Sequence, residues 1–326
     1  MGKSVFCEPQ AIASAGGEER EQDGRRRVVR QLRDRVVDVR NMVAAHVPGY
    51  RVDSVVLLGE GEDNIAFQVN DELIVRFSKE SDPGNRAAQV RGEARLLAAV
   101  ADVSPVPVPE PSFTVAEQGC LAYFKLPGLP LIDADPLRRS AESGSVAVAL
   151  GEFLGALHAV PVGEMADLVE TDVEPMAVWV EESAQIYATI VEAVPPAHRP
   201  AVEAFLAASP PADPRDLVFS HNDLGIEHVL IDPDAWTVTG VIDWSDAAIT
   251  DPARDFGLLY RDLGPDALDL ALGGYRAEAG DVTARAGFYA RCGVLEDMAY
   301  GLQTRHGKYL EKSVAALEWL FPVDGL

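Results

Sequence analysis

Cysteine and long apolar runs are both scarce in this 326-residue sequence, and each scarcity excludes a class of protein. The three cysteines, Cys7, Cys120 and Cys292, are scattered and odd in number, which argues against a disulfide framework or a cysteine metal site. No apolar run approaches the ~20 residues that span a bilayer, and no apolar core follows the first residues as a signal peptide requires. We therefore expect reduced thiols and a cytoplasmic protein.

Basic residues are also scarce. The sequence has 28 Lys and Arg against 52 Asp and Glu, a formal net charge of −24. So negative a surface repels nucleic acids and anionic membranes, and we expect neither as a partner. It suits a cationic small molecule, although acidity can also serve solubility alone. The length and the 48% hydrophobic content predict a globular protein of about two lobes with a sizeable core.

The most informative stretch is residues 220–255, which contains two histidines, a series of aspartates and two short apolar segments. Residues 229–231 are β-branched or aliphatic and too few for a helix, so they predict a strand. A proline-containing turn follows, and residues 237–242 predict a second strand. The two strands form a hairpin with Asp223 before it and Asp243 after it, and these carboxylates can therefore face each other.

Phosphoryl-transfer chemistry explains this order of residues. Transfer of a γ-phosphoryl group needs a carboxylate that orients and deprotonates the attacking hydroxyl, together with ligands that hold Mg²⁺ against the phosphates. His221-x-Asp223, then His228 five residues after the aspartate, then Ile-Asp-Trp ending at Trp244, follow the order of a kinase catalytic loop and metal-binding aspartate. Single aspartates often serve only as turn residues at strand ends, but the complete spacing favours phosphoryl transfer.

This stretch resembles the antibiotic-kinase family, the aminoglycoside and macrolide phosphotransferases, whose pattern is H-G-D-x-x-x-x-N followed by I-D-W. The resemblance implies that Asp223 is the catalytic base, that Asp243 is a Mg²⁺ ligand, and that His228 occupies the position of the second metal ligand. The implied cofactors are Mg²⁺ and ATP or GTP as phosphate donor. Two positions depart from the pattern, because Asn222 replaces glycine and His228 replaces asparagine, although Mg²⁺ prefers oxygen ligands.

The implied fold class is α+β, the two-lobed protein-kinase-like fold with a small antiparallel β lobe and a larger, mainly helical lobe. Residues 1–27 lack periodicity and predict a mobile leader. Residues 28–127 would form the N-terminal nucleotide-binding lobe, and residues 128–326 the C-terminal catalytic and substrate-binding lobe. The small lobe is predicted to contain two helices, over residues 28–47 and about 85–99, and five strands, over residues 52–59, 65–69, 73–77, 113–115 and 121–126.

Two segments of the small lobe would contact the nucleotide. Gly59 and Gly61 lie in the loop between the first two predicted strands, where a kinase lays backbone amides over the phosphates. A plain hairpin loop is at least as common, so this motif is weak by itself. By the resemblance, backbone groups around Lys125 and Leu126 would read the purine edge.

A cation on the third strand and a helical glutamate would complete the nucleotide site. The resemblance assigns Arg76 to the α and β phosphates, with Lys79 as the alternative, and assigns Glu93 to hold that cation. Arginine where lysine is usual is a departure, because the two side chains differ in reach and in fork geometry. The alternative is a surface arginine and a helical glutamate that make unrelated contacts.

The large lobe is predicted to be helical. The predicted helices cover residues 143–160, 175–193, 201–207, a segment opening at 251–255, and residues 267–277, 282–302 and 313–321. His158 is expected to be a core or capping residue rather than a ligand. The resemblance treats Asp251 and Asp255, in the D-P-x-x-D motif, as structural residues that fasten the metal loop. The acidic side chains of Asp262, Glu296 and Asp297 are candidates for binding a cationic acceptor, although exposed helical acids are usually just solvated.

The sequence therefore predicts a kinase that phosphorylates a hydroxyl of an antibiotic, an aminoglycoside first because of the charge. A macrolide, a basic cyclic-peptide antibiotic or a metabolic alcohol stay possible acceptors. A nucleotide-binding pseudokinase is the alternative from another class, given the departures at Arg76, Asn222 and His228. Metal-assisted hydrolysis would need a denser ligand cluster, and a protein-kinase role lacks the D-F-G and A-P-E motifs.

Overall fold

The computed structural model describes residues 35–61, 63–275 and 279–323. The predicted leader and the first part of the predicted 28–47 helix lie outside the described residues. The chain divides into two compact units, one with the residues up to Ala98 and Pro109–Lys125, the other with Ala99–Val108 and the residues from Leu126 onwards. The sequence-based boundaries did not anticipate that residues 99–108 belong to the second unit.

The first unit contains a five-stranded antiparallel sheet, as the sequence predicts. Its strands are β1 (Val55–Glu60), β2 (Asn64–Val69), β3 (Leu73–Ser78), β4 (Pro111–Val115) and β5 (Cys120–Phe124), in the order β1-β2-β3-β5-β4. Helix α1 covers residues 35–46 of the described chain, and α2 covers Pro83–Val103 and so continues into the second unit.

The β2–β3 hairpin shows how the sequence builds this sheet. Asn70 and Asp71 have φ angles of 52° and 61°, the left-handed conformation that a two-residue hairpin turn requires. Phe67 lies opposite Val75, and Phe77 lies opposite Ile65. The two rings are therefore diagonal neighbours and meet edge to face, with centroids 6.1 Å apart. Both are fully buried, together with Val39 and Val43 of α1. The core of this unit therefore lies between α1 and the sheet.

The second unit is mainly helical. Its helices are α3 (Pro136–His158), α4 (Val162–Met165), α5 (Met176–Ile190), α6 (Arg199–Ala207), α7 (Ala253–Leu263), α8 (Pro265–Gly274), α9 (Ala279–Thr304) and α10 (Gly307–Leu320). Helix α3 begins earlier than predicted because the side chain of Asp135 caps it by accepting from the N–H of Arg138 at 3.0 Å. No helix in the described ranges is long and apolar enough to cross a membrane.

Five short strands in the second unit position the polar loops. They are β6 (Leu129–Pro130), β7 (Val218–Ser220), β8 (Val229–Ile231), β9 (Val238–Val241) and β10 (Ala248–Thr250). The predicted antiparallel hairpin is confirmed as β8 and β9, with β6 on the other side of β8, and β10 pairs with β7. Pro127-Gly128, where the sequence predicts the boundary between the lobes, is a bend that leads into β6, and Gly128 adopts a φ of 103° there.

Gly151 permits a close approach of α3 and α8, and it gives a stability prediction. A Cβ atom at this position would overlap the backbone carbonyl of Ala271. We expect Gly151→Ala to lower the free energy of unfolding by about 1–3 kcal/mol in urea titrations, since backbone cannot move aside as a flexible side chain does. Gly273→Ala on α8 is the control, because nothing lies within 4 Å of its added Cβ. Equal effects of the two substitutions would contradict the prediction.

Candidate active site

The loop between β7 and β8 carries the predicted catalytic residues, and a buried carboxylate holds its first turn. The backbone N–H groups of His221 and Asn222 donate to the two oxygens of Asp255 at 3.1 and 2.8 Å. Asp255 is completely buried at the start of α7. Burial alone would raise the pKa of Asp255, but its hydrogen bonds with His158 and the loop lower it, so the loop is held by a carboxylate anion.

The D-P-x-x-D motif therefore acts differently from what the resemblance implied. Asp255 fastens the catalytic loop rather than the metal loop, while Asp251 forms a bidentate pair with Arg285 at 2.6 and 3.1 Å. His158 completes this arrangement, with Nε2 at 3.3 Å from Asp255 and Nδ1 at 3.0 Å from the hydroxyl of Tyr275. The prediction of His158 as a satisfied core residue is confirmed.

His221 links the catalytic loop to the end of the β8–β9 hairpin. Its Nε2 lies 3.1 Å from the carbonyl of Ile242, so this nitrogen donates, and its Nδ1 accepts from the N–H of Asp223 at 3.3 Å. These two partners specify the neutral Nε2–H tautomer. Burial lowers the pKa of His221 and so agrees with a neutral ring. The residue just before Asp243 is thereby fixed relative to Asp223.

One imidazole contacts both predicted catalytic carboxylates. His228 donates from Nδ1 to the carbonyl of Asp223 at 2.7 Å, and the same nitrogen lies 3.4 Å from the Asp223 carboxylate. Its Nε2 lies 3.7 Å from the carboxylate of Asp243. Burial alone would lower the pKa of His228, but the two carboxylates outweigh it and raise the pKa to about 9. The ring therefore lies as an imidazolium between Asp223 and Asp243, which are brought together.

The region around these groups is strongly negative. Burial, followed by the charges of Asp223 and Asp243, raises the pKa of the nearby Asp246 carboxyl to about 7. Burial also raises the pKa of Asp223, although the charge of His228 opposes this rise. Carboxylates that disfavour one another's charge favour an added cation, and their oxygens are the ligands that Mg²⁺ prefers. Within the described part of the chain, no group of three or more acidic, histidine or cysteine side chains is already arranged as a metal site.

The predicted acceptor-binding acids lie in a different environment from the one expected. The carboxylate of Asp262 is 2% exposed and pairs with Arg261 at 2.7 Å and with Lys312 at 3.2 Å. Asp297 is also buried and pairs with the same two cations at 2.9 and 3.0 Å. Both carboxylates form buried ion pairs with cations of the protein itself, and this placement does not support their direct contact with an acceptor. Glu296, beside Asp297 on α9, is half-buried.

This ion-paired cluster also reaches the catalytic loop. Glu227 immediately precedes His228 and accepts from Lys312 at 2.9 Å, while the N–H of Ile226 donates to Asp262 at 3.1 Å. The side chain of Glu227 is 13% exposed, more than its partners in the cluster. Helices α7, α9 and α10 therefore hold the C-terminal half of the catalytic loop, as Asp255 holds the N-terminal half.

In the first unit, the predicted phosphate-binding cation and its glutamate are brought together. Arg76 on β3 and Glu93 on α2 form an ion pair at 2.7 Å, with side chains 18% and 21% exposed. Lys79 is instead engaged by the β1–β2 loop, because it donates to the carbonyl of Gly61 at 2.9 Å and pairs with Glu60 at 3.0 Å. The geometry thus favours Arg76 over Lys79 as the partner of Glu93.

The other predicted nucleotide contacts are placed as follows. Gly59 lies at the end of β1 opposite Ala66, after a bulge, and Gly61 follows in the loop, donating to the carbonyl of Asn64 at 2.9 Å. The N–H of Lys125 already donates to the carbonyl of Glu72 at 2.7 Å. Lys125 could therefore offer a purine only its carbonyl group, and Leu126 is the first residue of the second unit.

The sequence reasoning missed several residues of this region: Glu227, Asp246, Lys312 and Asp172. Glu227 and Asp246 belong to no recognised motif, although each lies within three residues of a predicted site residue. Lys312 lies 85 residues from Glu227 in the sequence, and no local pattern connects the two. Asp172 is identified by its contact with Asn222. The sequence signal for this contact is that Asn222 replaces the glycine of the family pattern.

The fold and this loop define a phosphotransferase of the protein-kinase-like class. A family model described as the phosphotransferase enzyme family matches residues 54–289. The chain belongs to this family, and the predicted resemblance to the aminoglycoside and macrolide phosphotransferases is confirmed. The enzyme class, a phosphotransferase with an alcohol group as acceptor, follows from that membership.

Solved structures support the same fold. The GDP and kanamycin complex of APH(2")-IIia is 21% identical in sequence, with a TM-score of 0.62 over 86% of this chain and 97% of that chain. The macrolide 2'-phosphotransferase MphH from Brachybacterium faecium is 26% identical, with a TM-score of 0.57 over 85% of this chain and 95% of that one. The streptomycin-ATP-APH(2")-IIa ternary complex is 14% identical, with a TM-score of 0.56 over 86% and 97%.

Proposed function

We propose that this protein transfers the γ-phosphoryl group of ATP or GTP to a hydroxyl of a cationic antibiotic, with Mg²⁺ as cofactor and an aminoglycoside as the first candidate acceptor. One observation carries the proposal: the carboxylates of Asp223 and Asp243 both contact the ring of His228, at 3.4 and 3.7 Å. Two acidic groups that are 20 residues apart in the sequence thus meet at one point, as kinase chemistry requires.

Asp223 is the group assigned to the acceptor hydroxyl. Its carboxylate, 32% exposed, is accessible to a ligand, while its backbone is fixed by His221 and His228. In this position it would orient the hydroxyl and accept its proton as the oxygen attacks phosphorus. Burial raises the pKa of Asp223, and the adjacent charge of His228 opposes this rise and so favours the anionic form that a base needs.

Asp243 is assigned to the metal. Its backbone is held in the left-handed region at a φ of 63°, and its Oδ1 accepts from the hydroxyl of Ser245 at 2.7 Å. Bound Mg²⁺ would neutralise the charge on the phosphate oxygens. A ligand role for His228 stays a prediction, because an imidazole must lose a proton before it can bind a metal. Its position between two carboxylates suits an electrostatic role as well.

Arg76 is assigned to the nucleotide phosphates, and this assignment gives a prediction. We expect Arg76→Ala to raise the KM for the nucleotide about tenfold or more, since a hydrogen bond to a charged group contributes about 1.5–3 kcal/mol. Arg76→Lys should have a nucleotide KM between those of the wild-type protein and Arg76→Ala. Lysine keeps the positive charge but lacks the forked guanidinium that can donate two parallel hydrogen bonds. Arg91→Ala on the same helix as Glu93 is the control, because Arg91 is exposed and pairs with the exposed Glu117. A nucleotide KM unchanged in Arg76→Ala would remove Arg76 from the site.

The acidity of the site supports a cationic acceptor. Asp223, Asp246 and Glu227 lie on or beside the catalytic loop, and the whole chain has a formal net charge of −24. The attraction between a cation and a carboxylate is several-fold stronger in a partly desolvated site than in water. An aminoglycoside, with several ammonium groups and hydroxyls, meets both needs, and a basic macrolide or cyclic peptide meets them less completely.

A transfer assay tests the proposal. The purified protein would be incubated with Mg²⁺, ATP or GTP, and kanamycin, gentamicin, streptomycin, a macrolide, a basic cyclic peptide or a simple amino alcohol. Products would be identified by the mass of one added phosphoryl group. Transfer to an aminoglycoside is the expected result, and transfer to the macrolide or the amino alcohol but to no aminoglycoside would contradict the choice of acceptor. Nucleotide binding in thermal-shift titrations without any turnover would favour a pseudokinase instead.

A further inference from the structure

The residue between His221 and Asp223 adopts a backbone conformation that few side chains tolerate. Asn222 has a φ of 67°, in the left-handed region where glycine and asparagine are the favoured residues. Glycine would satisfy this bend without strain. The asparagine side chain therefore adds something beyond the backbone geometry.

That side chain connects the catalytic loop to two other segments. Its Nδ2 donates to the carbonyl of Asp246 at 2.9 Å and to the carboxylate of Asp172 at 3.3 Å. Asp246 follows the predicted metal ligand Asp243 by three residues, and Asp172 lies between α4 and α5. One amide group thus contacts both the residue two positions before strand β10 and the segment that lies beside that strand.

Asp172 is a firmly held acceptor for this amide. Its N–H donates to the carbonyl of Ile249 on β10 at 3.0 Å, so the segment runs beside that strand. Its carboxylate also accepts from Arg254, whose guanidinium stacks over the ring of Trp179 at 4.9 Å. Burial alone would raise the pKa of Asp172, but Arg254 and Asn222 lower it and keep it anionic. The acceptor that Asn222 contacts is therefore charged and fixed in place.

We propose that Asn222 is a positioning residue for Asp223, acting through its side-chain hydrogen bonds to Asp172 and to the backbone of Asp246. This inference rests on the proposed role of Asp223 as the base. Asp255 holds the N–H groups of His221 and Asn222, and the rings of His221 and His228, which belong to the same loop, hold the backbone of Asp223. The Asn222 amide adds contacts on a different side and so fixes the direction in which the next residue, Asp223, presents its carboxylate.

Two substitutions separate the side-chain contacts from the backbone bend. Asn222→Gly keeps the left-handed conformation and removes both hydrogen bonds, so we expect kcat to fall about tenfold with little change in nucleotide affinity. Asn222→Asp keeps the size but places a carboxylate against Asp172, so a larger fall is expected. Asp172→Ala should resemble Asn222→Gly. The double variant should lose less than the product of the two single losses, because both remove the same contact.

Hydrogen exchange tests the positioning independently of any acceptor. Asn222→Gly should accelerate amide exchange in peptides covering residues 221–228 and 170–175, with the melting temperature nearly unchanged, because only local opening is eased. Asn70→Gly is the matched control. Asn70 is also left-handed, at a φ of 52°, and its side chain bonds Arg51, Asp53 and Ser54 in the other unit. That control should change exchange only near residues 51–54 and leave kcat within twofold.

The outcomes separate this inference from the proposed function. Unchanged exchange and unchanged kcat in Asn222→Gly, while Asp223→Asn abolishes transfer, would overturn the positioning role and leave the proposed function intact. A lower melting temperature with an unchanged kcat for the folded fraction would also overturn it, because Asn222 would then be only structural. Full activity of Asp223→Asn would instead remove the proposed function on which the inference rests.

Discussion

Asp223→Asn is expected to lower kcat by at least two orders of magnitude while changing the KM for the nucleotide little. General-base catalysis contributes about 10²–10⁴-fold, and an amide of the same shape cannot accept the hydroxyl proton. The nucleotide affinity should persist, because Asp223 is assigned to the acceptor and not to the phosphates. Steady-state rates with the best acceptor, or nucleotide hydrolysis without acceptor, would measure the effect.

The control for this substitution is Asp234→Asn. Asp234 lies exposed in the turn of the β8–β9 hairpin, 11 residues from Asp223, and the same change of charge there should leave kcat unaltered. Circular dichroism and melting temperature would show that both variants are folded. A fall of less than tenfold in Asp223→Asn would show that another group takes the proton or that no base is needed.

Asp262→Asn is expected to lower the free energy of unfolding by about 3 kcal/mol or more. Removing one partner of a buried ion pair leaves charge uncompensated at low dielectric, and such changes cost about 3–5 kcal/mol. Asp262 neutralises Arg261 and Lys312, both buried, and accepts the N–H of Ile226 in the catalytic loop. Urea titrations followed by intrinsic fluorescence would measure the change.

The pH dependence of stability gives a second measurement on the same variant. Burial alone would raise the pKa of Asp262, but Arg261 and Lys312 lower it far below the value of about 3.9 for an unfolded chain. The contribution of Asp262 is therefore complete above that unfolded value and is lost as the pH falls toward the folded one. Asp262→Asn should lack this loss. Asp269→Asn, exposed on α8, is the control and should change stability by less than about 0.5 kcal/mol.

Much of the fold could be predicted because its elements have clear local patterns. The two short apolar runs in residues 65–69 and 73–77 and the turn pair Asn70-Asp71 between them specify a hairpin without help from the rest of the chain. The β8–β9 hairpin was likewise readable, and it placed Asp223 and Asp243 near each other. Strands β6, β7 and β10 were missed because two or three residues are too short to show a period, and no short turn joins them to their partners as one joins β8 to β9. The start of α3 was missed although Asp135-Pro136 is a recognisable helix beginning.

The electrostatic environment of the candidate site could not be predicted from the sequence. In the sequence, Asp262 and Asp297 look like exposed helical acids. Only the fold brings Lys312 to them, and Lys312 is 50 residues from Asp262 in the sequence. Burial and pairing reversed the expected role of these two acids. The charge of His228 was equally unpredictable from the sequence. Its raised pKa depends on two carboxylates that the hairpin brings to opposite nitrogens of one ring.

The membership of residues 99–108 in the second unit has a consequence for any attempt to isolate the first. The N–H of Val241 on β9 donates to the carbonyl of Pro107 at 3.0 Å, so this segment is hydrogen-bonded to a strand that occurs more than a hundred residues later. A fragment ending at Lys125 would carry the segment without that strand. The sheet-containing part is interrupted in the primary structure, and a single proteolytic cut or a single truncation cannot release it intact.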